Sequence, residues 1–410
     1  MSQPKSQLDM ELLSINTIRT LAIDAVQQAN SGHPGAPMGL APVAYELWQR
    51  HLRYDPADPT WPDRDRFVLS AGHASMLLYA TLHLAGVKET TKDGKILDTL
   101  AVSLDEIKRF RQIGSKTPGH PESHLTTGVE TTTGPLGQGA GNSVGMAIAS
   151  KWLAANFNKP GFDIFDFNVY AICGDGDIME GVCSEAASLA GHLRLSNLCW
   201  IYDNNRVTLD GPAEWSFNED VATRFLGYGW SITRVADAND VDALGRAFET
   251  FKSTKERPTL IIVDSHIGYG SPNRQDSYEA HGEPLGEAEV KLVKKNYGWP
   301  EDAKFLVPDG VYDHFKNGIG KRGAELRSAW KTKFADYAKQ FPQQADQLNL
   351  MQSGKLPDGW DKNLPTFPAD PKGMATRESS GKTLNALAAN IPWFIGGSAD
   401  LAKSNKTNLT

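Results

Sequence analysis

FNVYAICGDGDIMEGVCSEAASLAGHLRL (167–195) passes from an apolar, β-rich run through a corner of three glycines and two aspartates into a segment with Leu189 and Leu193 at helical spacing. A buried strand that feeds a helix through a glycine-rich turn is the repeating unit of a parallel α/β sheet. The same alternation extends outward from it. DRFVLS (65–70), LCWIY (198–202), SITRV (231–235) and TLIIVD (259–264) are further strand candidates, and helices are predicted over 8–29, 72–86, 140–156, 178–193 and 239–254. A charged, amphipathic stretch follows at 310–340. The pattern predicts an α/β fold with a mostly parallel sheet.

LPDGWDKNLPTFPADPKG (356–373) breaks this rhythm, because its prolines favour extended backbone and stop regular elements. A linker is predicted there. Beyond it the sequence offers one helix, ESSGKTLNALAAN (378–390), and one strand candidate, PWFIGG (392–397). The chain has 410 residues, 42 basic and 49 acidic, for a net charge of −7. There is no long basic run, so the electrostatic footprint of a nucleic-acid binder is missing. The opening MSQPKSQLDMELL has no signal-peptide pattern, and no segment approaches the ~20 apolar residues of a membrane span. Three cysteines, Cys173, Cys183 and Cys199, in apolar or helical surroundings fit reduced core thiols and a cytoplasmic protein.

The corner at 174–181 is not a common phosphate loop. G-x-G-x-x-G fails because the glycine after Gly176 is Gly181, and the Walker pattern fails because Val182 and Cys183 follow. SSGKT (379–383) has the Gly-Lys-Thr of that pattern but Thr376 in place of its first glycine. Gly174 and Gly176 let backbone amides approach a ligand at a helix start, which attracts phosphate. Asp175 and Asp177 would repel a bare phosphate, so a divalent cation between carboxylate and phosphate is the natural resolution. The next strand ends in DNN (203–205), placing Asn205 thirty residues after Asp175 as a second hard ligand. In a parallel sheet both tips lie at the carboxyl edge, where ligands bind. Magnesium holding a diphosphate satisfies these features together.

His33 (SGHPGAP), His73 (SAGHAS), His120 (TPGHPE) and His281 (EAHGEPLG) sit among glycine, proline and serine, in loops and not on helix faces. Neutral imidazoles there can polarise a carbonyl, bind sugar hydroxyls and move protons near neutral pH. His51, His83, His192 and His314 lie in helical patterns and read as structural, while His124 and His266 fit either role. GNSVG (141–145) matches a nucleophile elbow, but it follows the loop GPLGQGA and lacks the strand that motif needs.

SGHPGAPMG (31–39), GHASMLLY (72–79), TPGHPE (117–122), ETTTGPLGQG (130–139), GDGDIMEG with DNN, HGEPLG (281–286) and GGSADL (396–401) together resemble the transketolase family, in order from about Leu8 to Thr410. The resemblance implies a thiamine diphosphate-binding fold, a parallel sheet with helices on both faces, followed by the start of a second α/β domain. It divides the chain into a diphosphate-binding domain at 1–330, a helical and proline-rich linker at 331–372 and the beginning of a pyrimidine-binding domain at 373–410. The expected cofactors are thiamine diphosphate and Mg²⁺, with Ca²⁺ or Mn²⁺ as substitutes.

By position in these motifs, Asp175, Asn205 and the carbonyl of Val207 are the implied metal ligands, and Gly176 the implied diphosphate contact. Gly134 and Leu136 take the place that meets the aminopyrimidine. His73 and His281 are expected near the diphosphate and the reacting carbon, and His33, His120 and His281 at donor-sugar hydroxyls and in proton movement. Glu180 corresponds to a glutamate buried between subunits, Asp400 lies where the family approaches the cofactor, and Arg377 and Ser404 correspond to substrate-phosphate ligands. Two positions depart from the family pattern, Ala74 in GHAS and Lys403 in SADLAKSN. The implied activity is reversible transfer of a two-carbon ketol unit from a ketose phosphate to an aldose phosphate, as in the pentose phosphate pathway, by a homodimer whose active sites form between subunits. A dihydroxyacetone synthase-type relative and a noncatalytic cofactor-binding module or partner subunit are the alternatives. The family's remaining cofactor and phosphate ligands are expected beyond Thr410, so this chain is expected to carry the diphosphate half of the site.

Overall fold

Along the central strands the side chains alternate between two buried faces, as a sheet covered on both sides requires. Tyr170, Ile172, Cys199, Ile201, Ile261 and Val263 belong to one large apolar cluster. Ala171, Cys173, Trp200, Tyr202, Leu260 and Ile262, also buried, fall between them on the other face. The computed structural model describes residues 7–410, with side chains from Met10 onward. The first six residues of the N-terminal segment discussed above lie outside the described residues.

The sheet contains β1 (Arg66–Leu69), β4 (Val169–Gly174), β5 (Leu198–Asn204), β7 (Thr259–Asp264) and β6 (Ser231–Val235), in that spatial order. Every pairing in it is parallel. A separate antiparallel hairpin joins β2 (Lys88–Thr90) to β3 (Ile96–Leu100). The Tyr170 side of the sheet is covered by α1 (Gln7–Ala29), α2 (Gly35–Glu46), α3 (Ser75–Ala85) and, after a short α4 (Leu104–Lys108), α9 (Val241–Ser253). The opposite side is covered by α5 (Gln138–Phe157), α7 (Gly181–His192) and α8 (Val221–Gly227), with the short α6 (Asp175–Met179) leading into α7. There Trp200 packs 4.8 Å from Trp230 and 5.8 Å from Phe225, and donates to the Ser143 hydroxyl of α5 at 2.9 Å. Trp230 donates to the Ala187 carbonyl of α7 at 2.8 Å. The fold is therefore α/β with a five-stranded parallel sheet between helical layers.

The chain continues through α10 (Glu287–Asn296), α11 (Val311–Phe315) and α12 (Lys321–Gln340). Two compact units result, one running to Phe334 and the other Ala335–Thr410. The second holds α13 (Pro342–Gln352), α14 (Thr376–Asn390) and α15 (Ala402–Asn405). PWFIGG forms no strand there, contrary to the sequence expectation. Its first residue has no N–H to give a ladder, and Gly396 and Gly397 add backbone entropy that only a neighbouring strand could offset. Between α13 and α14, Ser353–Ala375 contains turns but no regular element.

Candidate active site

Three strand tips at the carboxyl edge of the sheet supply the centre. β4 ends at Gly174 and delivers Asp175, β5 ends at Asn204 and delivers Asn205, and β1 ends at Leu69, four residues before His73. Asp175 is buried and accepts a short hydrogen bond from the Tyr202 hydroxyl through Oδ1. Its Oδ2 is also buried, and no donor among the described residues meets it with hydrogen-bond geometry. Burial raises the Asp175 carboxyl pKa, partly offset by Tyr202 and by the backbone and guanidinium of Arg206. A buried carboxylate oxygen left without a donor is the feature expected of a cation ligand.

Asn205 is oriented from behind. Its amide nitrogen donates to Asp203 Oδ2 at 2.8 Å, and Asp203 Oδ1 takes a short bond from the Ser265 hydroxyl. The Asn205 Oδ1 accepts from the Val207 N–H at 2.9 Å, which folds the loop so that Asn205 and Val207 are neighbours. Arg206 between them has φ 61°, a left-handed conformation that is costly for a side chain of this size. Burial pushes Asp203 up to about 7, with the hydrogen bonds from Ser265 and Asn205 opposing and nearby Asp175 reinforcing the shift.

A magnesium ion takes about six oxygen ligands and usually keeps waters or ligand phosphates among them. The described residues contain no cluster of three or more His, Cys, Asp or Glu able to hold a metal alone. One orphaned carboxylate oxygen, an amide oxygen and a loop carbonyl fit an ion whose remaining ligands come from a diphosphate. Gly176 has a further part here: a Cβ on it would stand 2.8 Å from Leu136 Cδ1, so its missing side chain admits the 134–137 loop to the corner.

The four loop histidines come together. His33 lies 5.1 Å from His73, 5.8 Å from His281 and 6.4 Å from His120, centroid to centroid, and His73 stacks on His281 at 5.1 Å. Glycine permits this convergence: a Cβ on Gly35 would sit 2.4 Å from the Ala280 carbonyl oxygen, beside His281. α3 holds the His120 loop, with Ser75 donating to the Gly119 carbonyl at 2.9 Å and Tyr79 to that of Pro118 at 2.9 Å. Burial first, then the neighbouring His281, Arg111 and His120, lowers His33 to about 4. His73 is lowered well below 6.5 by burial and its histidine neighbours, and His120 by burial and Arg111. His281 is lowered by burial, with the Val207 backbone partly opposing. Burial thus favours the neutral form of all four imidazoles. The Nδ1 atoms of His33 and His281 are buried and without hydrogen-bond partners among the described residues.

Gly134 lies against His120, where its Cβ would be 3.6 Å from the ring, so the 134–136 loop borders the histidine cluster. Glu180 is exposed on the single chain, close to Gly137. Arg377, Asp400 and Ser404 are exposed residues of the second unit. Three of the four histidines read as structural are engaged elsewhere, His51 with Glu46 at 2.9 Å, His83 with the Val102 carbonyl at 2.9 Å and His314 with Tyr45 at 2.8 Å, while His192 is exposed at the end of α7. His124 and His266 pair with Glu122 and Asp276 at the surface.

Sequence reasoning missed four supporting residues. Tyr202, Asp203 and Ser265 brace the metal-ligand candidates, and Arg111, whose guanidinium reaches Ser31 Oγ at 2.8 Å, adds to the effect of burial on His33 and His120. Only Asp203 carried a signal, as the first residue of DNN.

Residues 10–357 match the family described as Transketolase, thiamine diphosphate binding domain. The chain is 52% identical over 398 residues to the transketolase of Geobacillus stearothermophilus, covering 97% of this chain and 58% of that protein. It is 48% identical over 400 residues to the transketolase of Bacillus subtilis, covering 98% and 58%. The crystal structure of the Pichia stipitis transketolase in complex with sedoheptulose 7-phosphate superposes with a TM-score of 0.90 at 43% identity, over 98% of this chain and 57% of that one. The Leishmania mexicana transketolase gives a TM-score of 0.90 at 43% identity, over 99% and 57%. The chain thus spans less than two thirds of the length of these relatives. With nearly its whole length aligned at this identity and most of it matched by the family, the chain belongs to the transketolase family through its thiamine diphosphate-binding domain.

Proposed function

We propose that this chain works as a transketolase, transferring a two-carbon ketol unit reversibly from a ketose phosphate such as xylulose 5-phosphate to an aldose phosphate such as ribose 5-phosphate, in the pentose phosphate pathway. Two observations carry the reading: the buried Oδ2 of Asp175, which no donor among the described residues meets with hydrogen-bond geometry, and the convergence of His33, His73, His120 and His281. Asp175, Asn205 and the Val207 carbonyl would hold Mg²⁺, and Gly176 and His73 would contact the diphosphate it binds. Thiamine diphosphate, when bound, supplies the carbon nucleophile and electron sink that two-carbon transfer requires.

The chain's own residues would do the rest. His33 and His281 would accept or donate hydrogen bonds at the donor sugar's hydroxyls through their imidazole nitrogens. His120 and His281 move protons at those oxygens, a task suited to imidazoles kept neutral by burial. Gly134 and Leu136 border the pyrimidine ring. In the second unit Arg377 and Ser404 would take the substrate phosphate, an arginine matching its oxygens two at a time, and Asp400 would approach the cofactor.

A homodimer belongs to the same proposal. Val182 and Leu189 on α7 and Leu193 just after it are exposed, on a different face from the buried Cys183, Ala187 and Ala190. A contiguous apolar helix face on a soluble surface marks a contact site, and Glu180 at its N-terminal edge would be covered by the partner. The three unpaired, buried cysteines suit a reducing cytoplasm. No described helix is long and apolar enough to cross a membrane.

The test is transfer from xylulose 5-phosphate to ribose 5-phosphate with thiamine diphosphate and Mg²⁺, by this chain alone and joined to the remaining C-terminal length of the Geobacillus stearothermophilus relative. Turnover by the joined protein, abolished by Asp175→Ala, is expected. Absence of turnover from a folded joined protein that binds the cofactor would overturn the activity and favour a noncatalytic module.

A further inference from the structure

Asp177 takes no part in holding metal or substrate in this scheme, yet it lies fully buried at the centre of the site with both carboxylate oxygens engaged. Its Oδ1 accepts from the Ser70 hydroxyl at 2.7 Å and from the Gly137 N–H at 2.7 Å. Its Oδ2 accepts from the Gly174 N–H at 2.9 Å. Ser70 in turn accepts from the Ala140 N–H at 2.9 Å, at the start of α5. These donors belong to three separate chain segments. Ser70 leads to His73, Gly137 closes the Gly134–Leu136 loop, and Gly174 immediately precedes Asp175.

We propose that Asp177 is a positioning residue that joins the His73 segment, the 134–137 loop and the Asp175 corner into one preformed cradle for the metal and diphosphate. The proposal rests on the reading of this site as a thiamine diphosphate site. Burying a carboxylate is expensive unless it is fully hydrogen-bonded. A small apolar residue would fill the place without that expense, but would leave two backbone amides and a hydroxyl without an acceptor. An ionised carboxylate is the one short side chain that only accepts, with lone pairs for three donors at once. An asparagine there must turn its NH₂ toward at least one of the three donors, so one tie is lost and the cradle loosens where the ligands are carried.

The experiment measures the affinity of the protein for inorganic pyrophosphate in the presence of Mg²⁺, and amide hydrogen exchange of the same samples, for the unmodified chain, Asp177→Asn and Phe248→Leu. Phe248 is buried on the far face of the sheet and serves as a control for stability alone. Removal of a residue that orients metal ligands typically costs 10- to 100-fold in affinity. Asp177→Asn is expected to raise the Kd at least 10-fold and to speed exchange in segments 70–75, 133–141 and 174–180, with β5 and β7 unchanged. Phe248→Leu is expected to lower the Tm with the Kd within about 2-fold. A folded Asp177→Asn with unchanged Kd, or one as weak as Phe248→Leu makes it, overturns the proposal. If Asp177→Asn does not fold, Ser70→Ala decides, since it removes one donor and leaves the two amides tied: a Kd raised several-fold supports the proposal and an unchanged one overturns it. Failure of the unmodified chain to bind magnesium pyrophosphate overturns the reading of the site itself, a result distinct from any of these.

Discussion

His33 has its imidazole pKa lowered from 6.5 to about 4, chiefly by burial. The unfolded chain therefore takes up a proton that the folded chain refuses. Stability gained by keeping this ring neutral is complete above about pH 6.5 and is lost as the pH falls toward 4. For a half-buried ring, allowing for solvent screening, the loss is on the order of 2 kcal/mol. Tm is accordingly expected to fall between pH 7 and pH 5, and to fall less steeply in His33→Asn; identical slopes in the two proteins would contradict the origin given for it. The grouping of His33, His73, His120 and His281 was legible in the sequence, because each stands in a glycine- or proline-rich loop where a structural histidine has little to pack against. Tyr202 and Arg111 were not. Tyr202 continues the alternation of a strand and looks like core, and Arg111 acts through a loop whose path depends on contacts with Ser31 and α3 that are remote in sequence.

The strand tips and the loops that follow them are where sequence and structure agree most closely. Five runs were enough to place β1, β4, β5, β6 and β7, because the central strands β4, β5 and β7 are buried on both faces and need continuous apolar sequence, while the edge strand β6 is marked by its β-branched residues. PWFIGG met the same local rule and formed no strand, since strand formation is decided by a pairing partner as much as by the run itself. Glycines divide in a similar way. Gly35 and Gly174 look alike in the sequence, but a Cβ on Gly35 would strike the Ala280 backbone, while the space over Gly174 is open. Gly35→Ala is expected to cost about 1–3 kcal/mol and to displace the His281 loop. Gly174→Ala, at a φ of −108°, is expected to stay within about 1 kcal/mol of the unmodified chain. Denaturant midpoints measure both; equal effects would contradict the contact assigned to Gly35.

At the scale of the molecule, α7 turns an apolar stripe outward that leaves Val182 and Leu189 exposed on one chain. Leu189→Glu would place a charge in the proposed dimer contact. Sedimentation is expected to show a dimer for the unmodified chain and a shift toward monomer for the variant, whereas the same distribution for both would exclude this face. The proposed magnesium and diphosphate site lies within a single unit, since Asp175, Asn205 and the histidine cluster all belong to the one that runs to Phe334. Calorimetric titration of the chain with thiamine diphosphate, with and without Mg²⁺ and with Asp175→Ala alongside, addresses it directly. Binding that requires Mg²⁺ and disappears in Asp175→Ala is the expected result; binding of equal strength without the metal, or undiminished in the variant, would contradict the assignment of Asp175 as the ligand on which the site is built.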